Sequence, residues 1–268
     1  MHETRSRDGT PIAFDRSGNG PSLILVDGGL CYRDLGPSAA LARVLAQQFT
    51  VFTYDRRGRG DSGDTAPYAV EREIEDIEAI LKEAGGSACV WGVSSGAALA
   101  LEATARLRGI QKLALYEAPF IVDDSRSPIS KGDWGQISAA IAAGDRGYAV
   151  KLFLRLVGAP AFFINLMPLL PVWRKLKAVA HTLPYDGAIV VENQTGRPLS
   201  ASRWASVAIP TLVTVGGRSR RWMRHAARAL ATVLPNAQYR TLDRQTHMVK
   251  AKAAAPVLAD FFGDGSLS

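Results

Sequence analysis

The stretch Gly92-Val93-Ser94-Ser95-Gly96 decides how the rest of this chain is interpreted. It follows a short apolar run at 88–91 and precedes small and apolar residues with helical character at 97–101. A G-x-S-x-G pattern between a strand and a helix is typical of a nucleophile elbow, in which the serine occupies a strained turn. The two glycines leave room for the strand and the helix to approach each other. Plain turns also produce such a pattern by chance, so it is the setting that predicts a catalytic serine at Ser94.

The composition is that of an ordinary globular protein. With 268 residues, 47% of them hydrophobic and 21% charged, the chain can form one large α/β domain or a core domain with an insertion. The N-terminal residues have no apolar segment behind their charges, so we expect neither a secretory signal nor a transit peptide and a cytoplasmic location. Cys31 and Cys89 are too few for a disulfide framework and lack metal-ligand spacing.

The formal charge of +7 raises the question of nucleic-acid binding. The basic residues are scattered, and the one tight cluster is expected to be a solvated loop and helix face: Arg218, Arg220, Arg221 and Arg224. We therefore predict no nucleic-acid partner.

Short β-rich runs alternate with helical patterns in the first half of the chain, which predicts a parallel sheet covered on both faces. The predicted strands of this half include 22–26, 51–54, 88–93 and 112–116. The alternation breaks between about 119 and 205 and then resumes with strands at 211–215 and 238–242. A break of this length is too long for a loop. We predict a core domain formed by residues 1–118 and 206–268, with a helical cap at 119–205.

Residues 156–173 carry no charge and so raise the question of a membrane span. Pro160, Pro168 and Pro171 interrupt this stretch and remove backbone donors, and basic residues crowd its ends. We expect no stable membrane insertion. The stretch is expected to line a substrate cavity or form a lid, and contact with a lipid surface is the alternative.

Five motifs in order along the chain carry a family resemblance. They are LILVDGGL at 23–30, YDRRGRGDSG at 54–63, WGVSSG at 91–96, TLVTVGG at 211–217 and Thr246-His247-Met248. With them, nearly the whole chain resembles the α/β-hydrolase fold family. The resemblance implies a mostly parallel eight-stranded sheet with helices on both faces and a helical cap inserted after strand six.

The resemblance also implies roles for particular residues. Ser94 matches the nucleophile, which argues against the members that use aspartate there, the epoxide hydrolases and haloalkane dehalogenases. His247 matches the general base. The oxyanion hole would be formed by the backbone N–H of Ser95 and by that of Gly29 or Leu30. No metal or organic cofactor is implied.

Asp27 departs from the family pattern, because many members have a histidine before that glycine. An ionised carboxylate there would oppose an oxyanion unless it is turned away or paired, and Arg56 or Arg57 could pair with it. The favoured interpretation is that Asp27 caps the amides of the turn.

The second departure concerns the triad acid, because Ser219 stands where the family commonly places an aspartate. Loss of the carboxylate costs a serine hydrolase about 10⁴ in rate. Glu117 is the favoured substitute, since it follows the sixth strand, where some members place the acid. Asp123 and Asp124 are alternatives, and Glu117 could instead pair with an arginine of the 55–63 loop.

These residues predict a serine hydrolase that cleaves an ester, lactone or thioester of an apolar small molecule through an acyl-enzyme. Seven apolar side chains are candidates for the substrate pocket: Phe153, Phe162, Phe163, Met167, Trp173, Trp222 and Met223. Alternatively, many of them form the cap's own core. Two other functions stay open, a lyase, cyclase or acyl transferase using the same site and a non-catalytic ligand-binding protein. We expect a monomer or a homodimer.

Overall fold

An eight-stranded sheet forms the centre of the computed structural model, which describes residues 1–263. The strands are β1 (His2–Arg5), β2 (Pro11–Ser17), β3 (Ser22–Val26), β4 (Thr50–Tyr54), β5 (Ala88–Val93), β6 (Ile110–Tyr116), β7 (Thr211–Gly216) and β8 (Ala237–Leu242). Their order is β1-β2-β4-β3-β5-β6-β7-β8. The pairs β1–β2 and β2–β4 are antiparallel, and the other neighbours are parallel. The mostly parallel eight-stranded sheet is thus confirmed.

Ten α-helices accompany the sheet within residues 1–263. They are α1 (Pro37–Leu45), α2 (Val70–Glu83), α3 (Ser95–Thr104), α4 (Lys131–Ala142), α5 (Arg146–Leu156), α6 (Ala161–Leu166), α7 (Val172–Val179), α8 (Leu183–Val190), α9 (Arg221–Val233) and α10 (Ala251–Gly263). Helices α4 to α8 all lie between β6 and β7 in the chain. We call them, with their connections, the helical segment. The division into domains at residues 119 and 205 stays a prediction.

Helices cover both faces of the sheet because the central strands are mostly apolar and almost wholly buried. In β3, Leu23 and Leu25 belong to the hydrophobic cluster that contains residues of α1 and α10, whereas Ile24 and Val26 belong to the cluster of the opposite face, with residues of α2, α3 and α9. Successive side chains of a strand point to opposite faces, so a strand buried on both sides must be apolar throughout. This arrangement fixes the carboxyl ends of β3, β5, β6 and β7 along one edge of the sheet.

The proline-interrupted stretch at 156–173 is divided into short helices. Helix α5 ends at Leu156, α6 begins after Pro160, and α7 begins after Pro171. Proline fits the start of a helix but not its interior, so each proline marks a new helix. No helix in the described part of the chain is long and apolar enough to cross a membrane.

Candidate active site

Ser94 lies at the sharp turn between β5 and α3. Its φ of 56° and ψ of −128° are unusual for a residue with a side chain. A Cβ atom added to Gly92 would lie 2.5 Å from the carbonyl oxygen of Gly96, and one added to Gly96 would lie 2.5 Å from that of Asp27. Both positions therefore exclude larger residues. The structure therefore contains the strand, the strained serine and the helix that the pentapeptide predicted.

His247 and Glu117 are joined by a hydrogen bond of 2.8 Å between Nδ1 and Oε2. Glu117 directly follows β6 and is 1% exposed, while His247 lies in the loop between β8 and α10. A carboxylate that accepts the Nδ1 proton leaves Nε2 as the basic nitrogen of the ring. His247 and Ser94 line the same cavity. The structure thus brings the predicted nucleophile, base and acid to one place.

The alternatives for the acid find other partners. Asp123 forms an ion pair with His225, on α9, and no contact joins Asp124 to His247 among the described residues. Arginines of the 55–63 loop also do not pair with Glu117; Arg57, for example, pairs with Asp76 and Asp8.

Ser219 supports the acid instead of replacing it. Its hydroxyl donates a short hydrogen bond to Oε1 of Glu117, and the amide of Gly216 donates to the same atom at 2.7 Å. Glu117 has a φ of 50°, in the left-handed region, so these donors hold a strained residue. Sequence reasoning missed this role. The available signal was the pairing of neighbouring strands β6 and β7, which places the residues after them side by side.

The turn after β3 lies against the nucleophile. A Cβ added to Gly28 would lie 2.9 Å from Cβ of Ser94, and one added to Gly29 would lie 3.1 Å from Cζ of Phe153. Leu30 has a φ of 61°. Of the three residues assigned to the oxyanion hole by resemblance, Ser95 lines the cavity, whereas Gly29 and Leu30 are not part of its lining.

The carboxylate of Asp27 forms no ion pair with an arginine among residues 1–263. Arg56 donates to the backbone oxygen of Asp27 at 3.3 Å and Arg57 pairs with Asp76, so the possible pairing of the Asp27 carboxylate with either arginine is not formed. A Cβ on Gly36, just before α1, would lie 2.7 Å from Asp27 Oδ2. Oδ1 has no hydrogen-bond partner among residues 1–263, and burial raises the pKa of Asp27 to about 7. The carboxylate faces the start of α1 and not the amides it was expected to cap.

Asp186 was not anticipated, although it touches the elbow. This residue of α8 is 1% exposed. Its Oδ1 accepts hydrogen bonds from Ser95 Oγ at 2.7 Å and from Arg56 at 2.8 Å, and its Oδ2 accepts one from Arg59 at 2.8 Å. Burial opposes ionisation, but Arg59 and Arg56 hold the pKa of Asp186 below its usual range. The only signal in the sequence was one acidic residue within an otherwise apolar helix.

The same two arginines hold the turn after β3. Arg59 donates to the carbonyl oxygen of Gly28 at 2.7 Å. Arg56 also pairs with Glu73 of α2 at 2.6 Å. A buried, fully bonded network of this kind connects the helical segment, the 55–63 loop and the turn beside Ser94.

The cavity at Ser94 has a volume of about 520 Å³. Its apolar lining includes Ile129, Trp134, Phe153, Leu156, Val157, Val190, Trp222 and Met223. Three predicted pocket residues, Phe153, Trp222 and Met223, are therefore in place.

The other four predicted pocket residues are not in the lining: Phe162, Phe163, Met167 and Trp173. Phe162 is 72% exposed and Phe163 is 42% exposed, because α6 turns away from the cavity after Pro160. Met167 is buried in the helical segment, as the alternative interpretation expected. In the described chain, no three His, Cys, Asp or Glu side chains are grouped to hold a metal ion.

The sequence is similar to known hydrolases. The sequence profile of the Alpha/beta hydrolase family matches residues 17–249. The curated protein "Uncharacterized hydrolase YraK" of Bacillus subtilis (strain 168) is 37% identical over 98 residues, which span 35% of each chain.

Solved structures agree with this match. An alpha/beta hydrolase from Sphaerobacter thermophilus DSM 20745 is 51% identical, with a TM-score of 0.89, and the match covers 97% of this chain and 100% of that one. A thermophilic esterase from Thermogutta terrifontis shares the fold at 19% identity and a TM-score of 0.69, covering 98% and 97% of the two chains. The family and these relatives support hydrolase activity in general. Since the profile spans most of the sequence and the strand order, elbow and site geometry agree with it, the chain belongs to the alpha/beta hydrolase family.

Proposed function

We propose that this protein is a serine hydrolase that cleaves esters, lactones or thioesters of small molecules through an acyl-enzyme on Ser94. The observation that carries the proposal is the 2.8 Å hydrogen bond between His247 Nδ1 and Glu117 Oε2, in a site where His247 shares one cavity with a strained Ser94. A serine, a histidine and a buried carboxylate in this relation form the arrangement that activates a hydroxyl for attack on a carbonyl.

In the first step, His247 Nε2 takes the proton from Ser94 Oγ as that oxygen attacks the substrate carbonyl. Glu117, held by Gly216 and Ser219, stabilises the imidazolium that forms. The amide of Ser95, at the N-terminus of α3, donates to the developing oxyanion, and the second donor comes from the turn after β3. His247 then protonates the leaving alcohol, thiol or enol.

In the second step, water attacks the acyl-enzyme. His247 removes a proton from the water, a second tetrahedral oxyanion forms, and its collapse releases the acid and returns the proton to Ser94. The apolar walls of the cavity suit a substrate with a substantial hydrocarbon part.

Labelling with a fluorophosphonate, read by mass spectrometry, tests the nucleophile. We expect one adduct on Ser94, no adduct in Ser94→Ala, and loss of p-nitrophenyl ester hydrolysis in the same variant. Undiminished ester turnover by Ser94→Ala would rule out the mechanism.

The two carboxylate-paired histidines provide a matched control. His247→Ala should abolish turnover, whereas His225→Ala, which breaks the pair with Asp123 outside the cavity, should retain it. Hydrolysis in H₂¹⁸O should place one solvent oxygen in the acid product. Transfer to another acceptor or cyclisation would leave the product unlabelled.

A further inference from the structure

The cavity carries more positive charge than the proposed chemistry requires. Four charged side chains other than His247 contribute to its lining: Asp186, Arg126, Arg218 and Arg220. Asp186 is neutralised by Arg56 and Arg59. In the described part of the chain, none of the three lining arginines forms an ion pair with a carboxylate. The lining therefore has uncompensated cations.

Of the lining arginines, Arg126 is half-buried and Arg218 and Arg220 are exposed, whereas the fully buried arginines of the protein have carboxylate partners. Arg56 pairs with Glu73 and Asp186, and Arg57 pairs with Asp76. Burying a cation without a counter-ion costs free energy, so proteins usually provide one. Arg126 is the lining arginine that is partly withdrawn from solvent, and no carboxylate of residues 1–263 pairs with it, which leaves it available to an anion in the cavity.

Arg126 is held in a fixed position beside the cavity. Its guanidinium carbon lies 4.4 Å from the centre of the Trp222 ring, and it donates a hydrogen bond to the carbonyl oxygen of Leu156. Burial and the neighbouring Arg220 lower the pKa of Arg126. A stacked guanidinium is planar and pre-organised for two-pronged binding of a carboxylate.

Arg220 lines the same cavity and is exposed. It donates to the carbonyl oxygen of Gly158, two residues beyond the one held by Arg126. These contacts help to cap the C-terminus of α5, which cations favour. Each guanidinium has five N–H donors, however, and the single carbonyl bond leaves others for a ligand.

We propose that Arg126 and Arg220 form an anion subsite, and that the substrate of the Ser94 site is an ester or lactone that carries a carboxylate on an apolar body. This proposal rests on the proposed hydrolase function for its kinetic test. Leu156, Trp222 and Met223 lie in the same lining and would contact the hydrocarbon between the reacting carbonyl and the carboxylate.

The kinetic test uses p-nitrophenyl monoesters of succinic, glutaric, adipic and suberic acid, each compared with a neutral methyl-terminated ester of the same length. We expect at least one carboxylate ester to exceed its neutral counterpart in kcat/KM by about tenfold or more, the effect of one charge-assisted hydrogen bond. Arg126→Gln and Arg220→Gln should each remove about tenfold of that preference while changing kcat/KM for the neutral ester by less than about threefold.

Arg174→Gln is the matched control, since it removes the same charge from an exposed position on α7 outside the cavity lining. It should leave the preference unchanged. Equal or better turnover of the neutral esters at every length, or a preference that survives both cavity variants, would overturn the subsite. If either variant also loses the neutral reaction, Arg126→Lys or Arg220→Lys tests whether the positive charge restores the preference.

A binding experiment separates this proposal from the hydrolase mechanism. Calorimetry with Ser94→Ala should detect glutarate or adipate, and the double variants Ser94→Ala/Arg126→Gln and Ser94→Ala/Arg220→Gln should each bind the same dicarboxylate about tenfold more weakly. Dicarboxylate binding without ester turnover would keep the subsite and reject the hydrolase. Ester turnover without dicarboxylate binding or carboxylate preference would reject the subsite and keep the hydrolase.

Discussion

The hydroxyl of Ser95 and the carboxylate of Asp186 are joined by a 2.7 Å hydrogen bond, although 91 positions separate them in the chain. Ser95 follows the proposed nucleophile, and its amide is a proposed donor to the oxyanion. Asp186 therefore holds the residue that is proposed to stabilise the oxyanion, while also neutralising Arg56 and Arg59. We predict that Asp186 acts by positioning Ser95.

Ser95→Ala should lower kcat by about tenfold with KM nearly unchanged, because the amide remains but loses the support that holds it in place. Steady-state kinetics on a p-nitrophenyl ester measures both constants. Stability should fall by about 1 kcal/mol, the loss of one hydrogen bond. Ser206→Ala, at an exposed serine, is the control. A rise in KM at constant kcat would contradict the positioning role.

Asp186→Asn should be far more damaging to the fold. It leaves Arg56 and Arg59 buried with Glu73 as the remaining carboxylate beside them, and removing one partner of a buried ion pair costs about 3–5 kcal/mol. Urea denaturation measures the change. A loss below about 1 kcal/mol would show that the network stabilises the fold little.

Exchange of the residues at 117 and 219 tests how the acid is supplied. Glu117→Gln should reduce kcat by about 10⁴, as for other triads that lose their carboxylate. The double variant Glu117→Ser/Ser219→Asp places the acid after β7 and should recover at least about tenfold of that loss, since Ser219 lines the same cavity as His247 and lies at hydrogen-bond distance from the carboxylate that it would replace.

Ser219→Ala isolates the hydrogen bond to Glu117. This substitution should lower kcat by less than about a hundredfold, because the amide of Gly216 still holds the carboxylate. A loss as large as that of Glu117→Gln would mean that Ser219 does more than orient the acid.

The raised pKa of Asp27 predicts that the stability of the folded protein depends on pH. This pKa is about 7 in the folded protein, raised by burial, and about 3.9 in an unfolded chain. Between these values the unfolded chain has released a proton that the folded chain still holds. The free energy of unfolding therefore includes the full contribution of Asp27 below pH 4. This contribution, up to about 4 kcal/mol, is lost as the pH rises to 7.

Asp27→Asn imitates the protonated side chain and should remove this dependence. Urea denaturation at pH 4 to 8 should show equal stability for the variant and the parent at pH 4 and a more stable variant at pH 8. Asp34→Asn, at an exposed aspartate, should follow the parent throughout. Parallel curves for Asp27→Asn and the parent would refute the prediction.

Two phenylalanines of the helical segment provide a matched pair for substrate contact. Phe153 lines the cavity and is half-buried, whereas Phe162 is 72% exposed. Phe153→Ala should raise KM for an apolar ester by about tenfold, because it removes part of an apolar wall. Phe162→Ala should leave both kinetic constants unchanged. The opposite result would mean that α6 folds over the cavity when substrate is bound.

The parts of the site that follow strand ends were predictable from the sequence. Glu117 closes β6 and His247 follows β8, so a parallel sheet brings both to the edge where Ser94 stands. Strands can be recognised from the pattern of neighbouring residues, and the order of the motifs predicted which strand ends carry the nucleophile, the base and the acid. The 2.8 Å bond between Glu117 and His247 agrees with that prediction.

The contributions of the helical segment could not be predicted in the same way. The contact between Asp186 and Arg56 joins residues 130 positions apart, and no periodicity in either segment indicates the other. The same holds for the pocket, since Phe162 and Phe153 have the same side chain and differ only in where their helices point. Tertiary packing determines which of the two lines the cavity, and composition does not reveal that packing.

The carboxylate at position 186 also limits how this chain can be recombined with its relatives. Because the counter-ion of two core arginines comes from between β6 and β7, that stretch is not an interchangeable module. A chimera that receives the corresponding stretch of another hydrolase must bring an acid to the same point, or replace Arg56 and Arg59 as well. Substrate range in this protein is therefore better altered side chain by side chain within its own helices than by transplanting them whole.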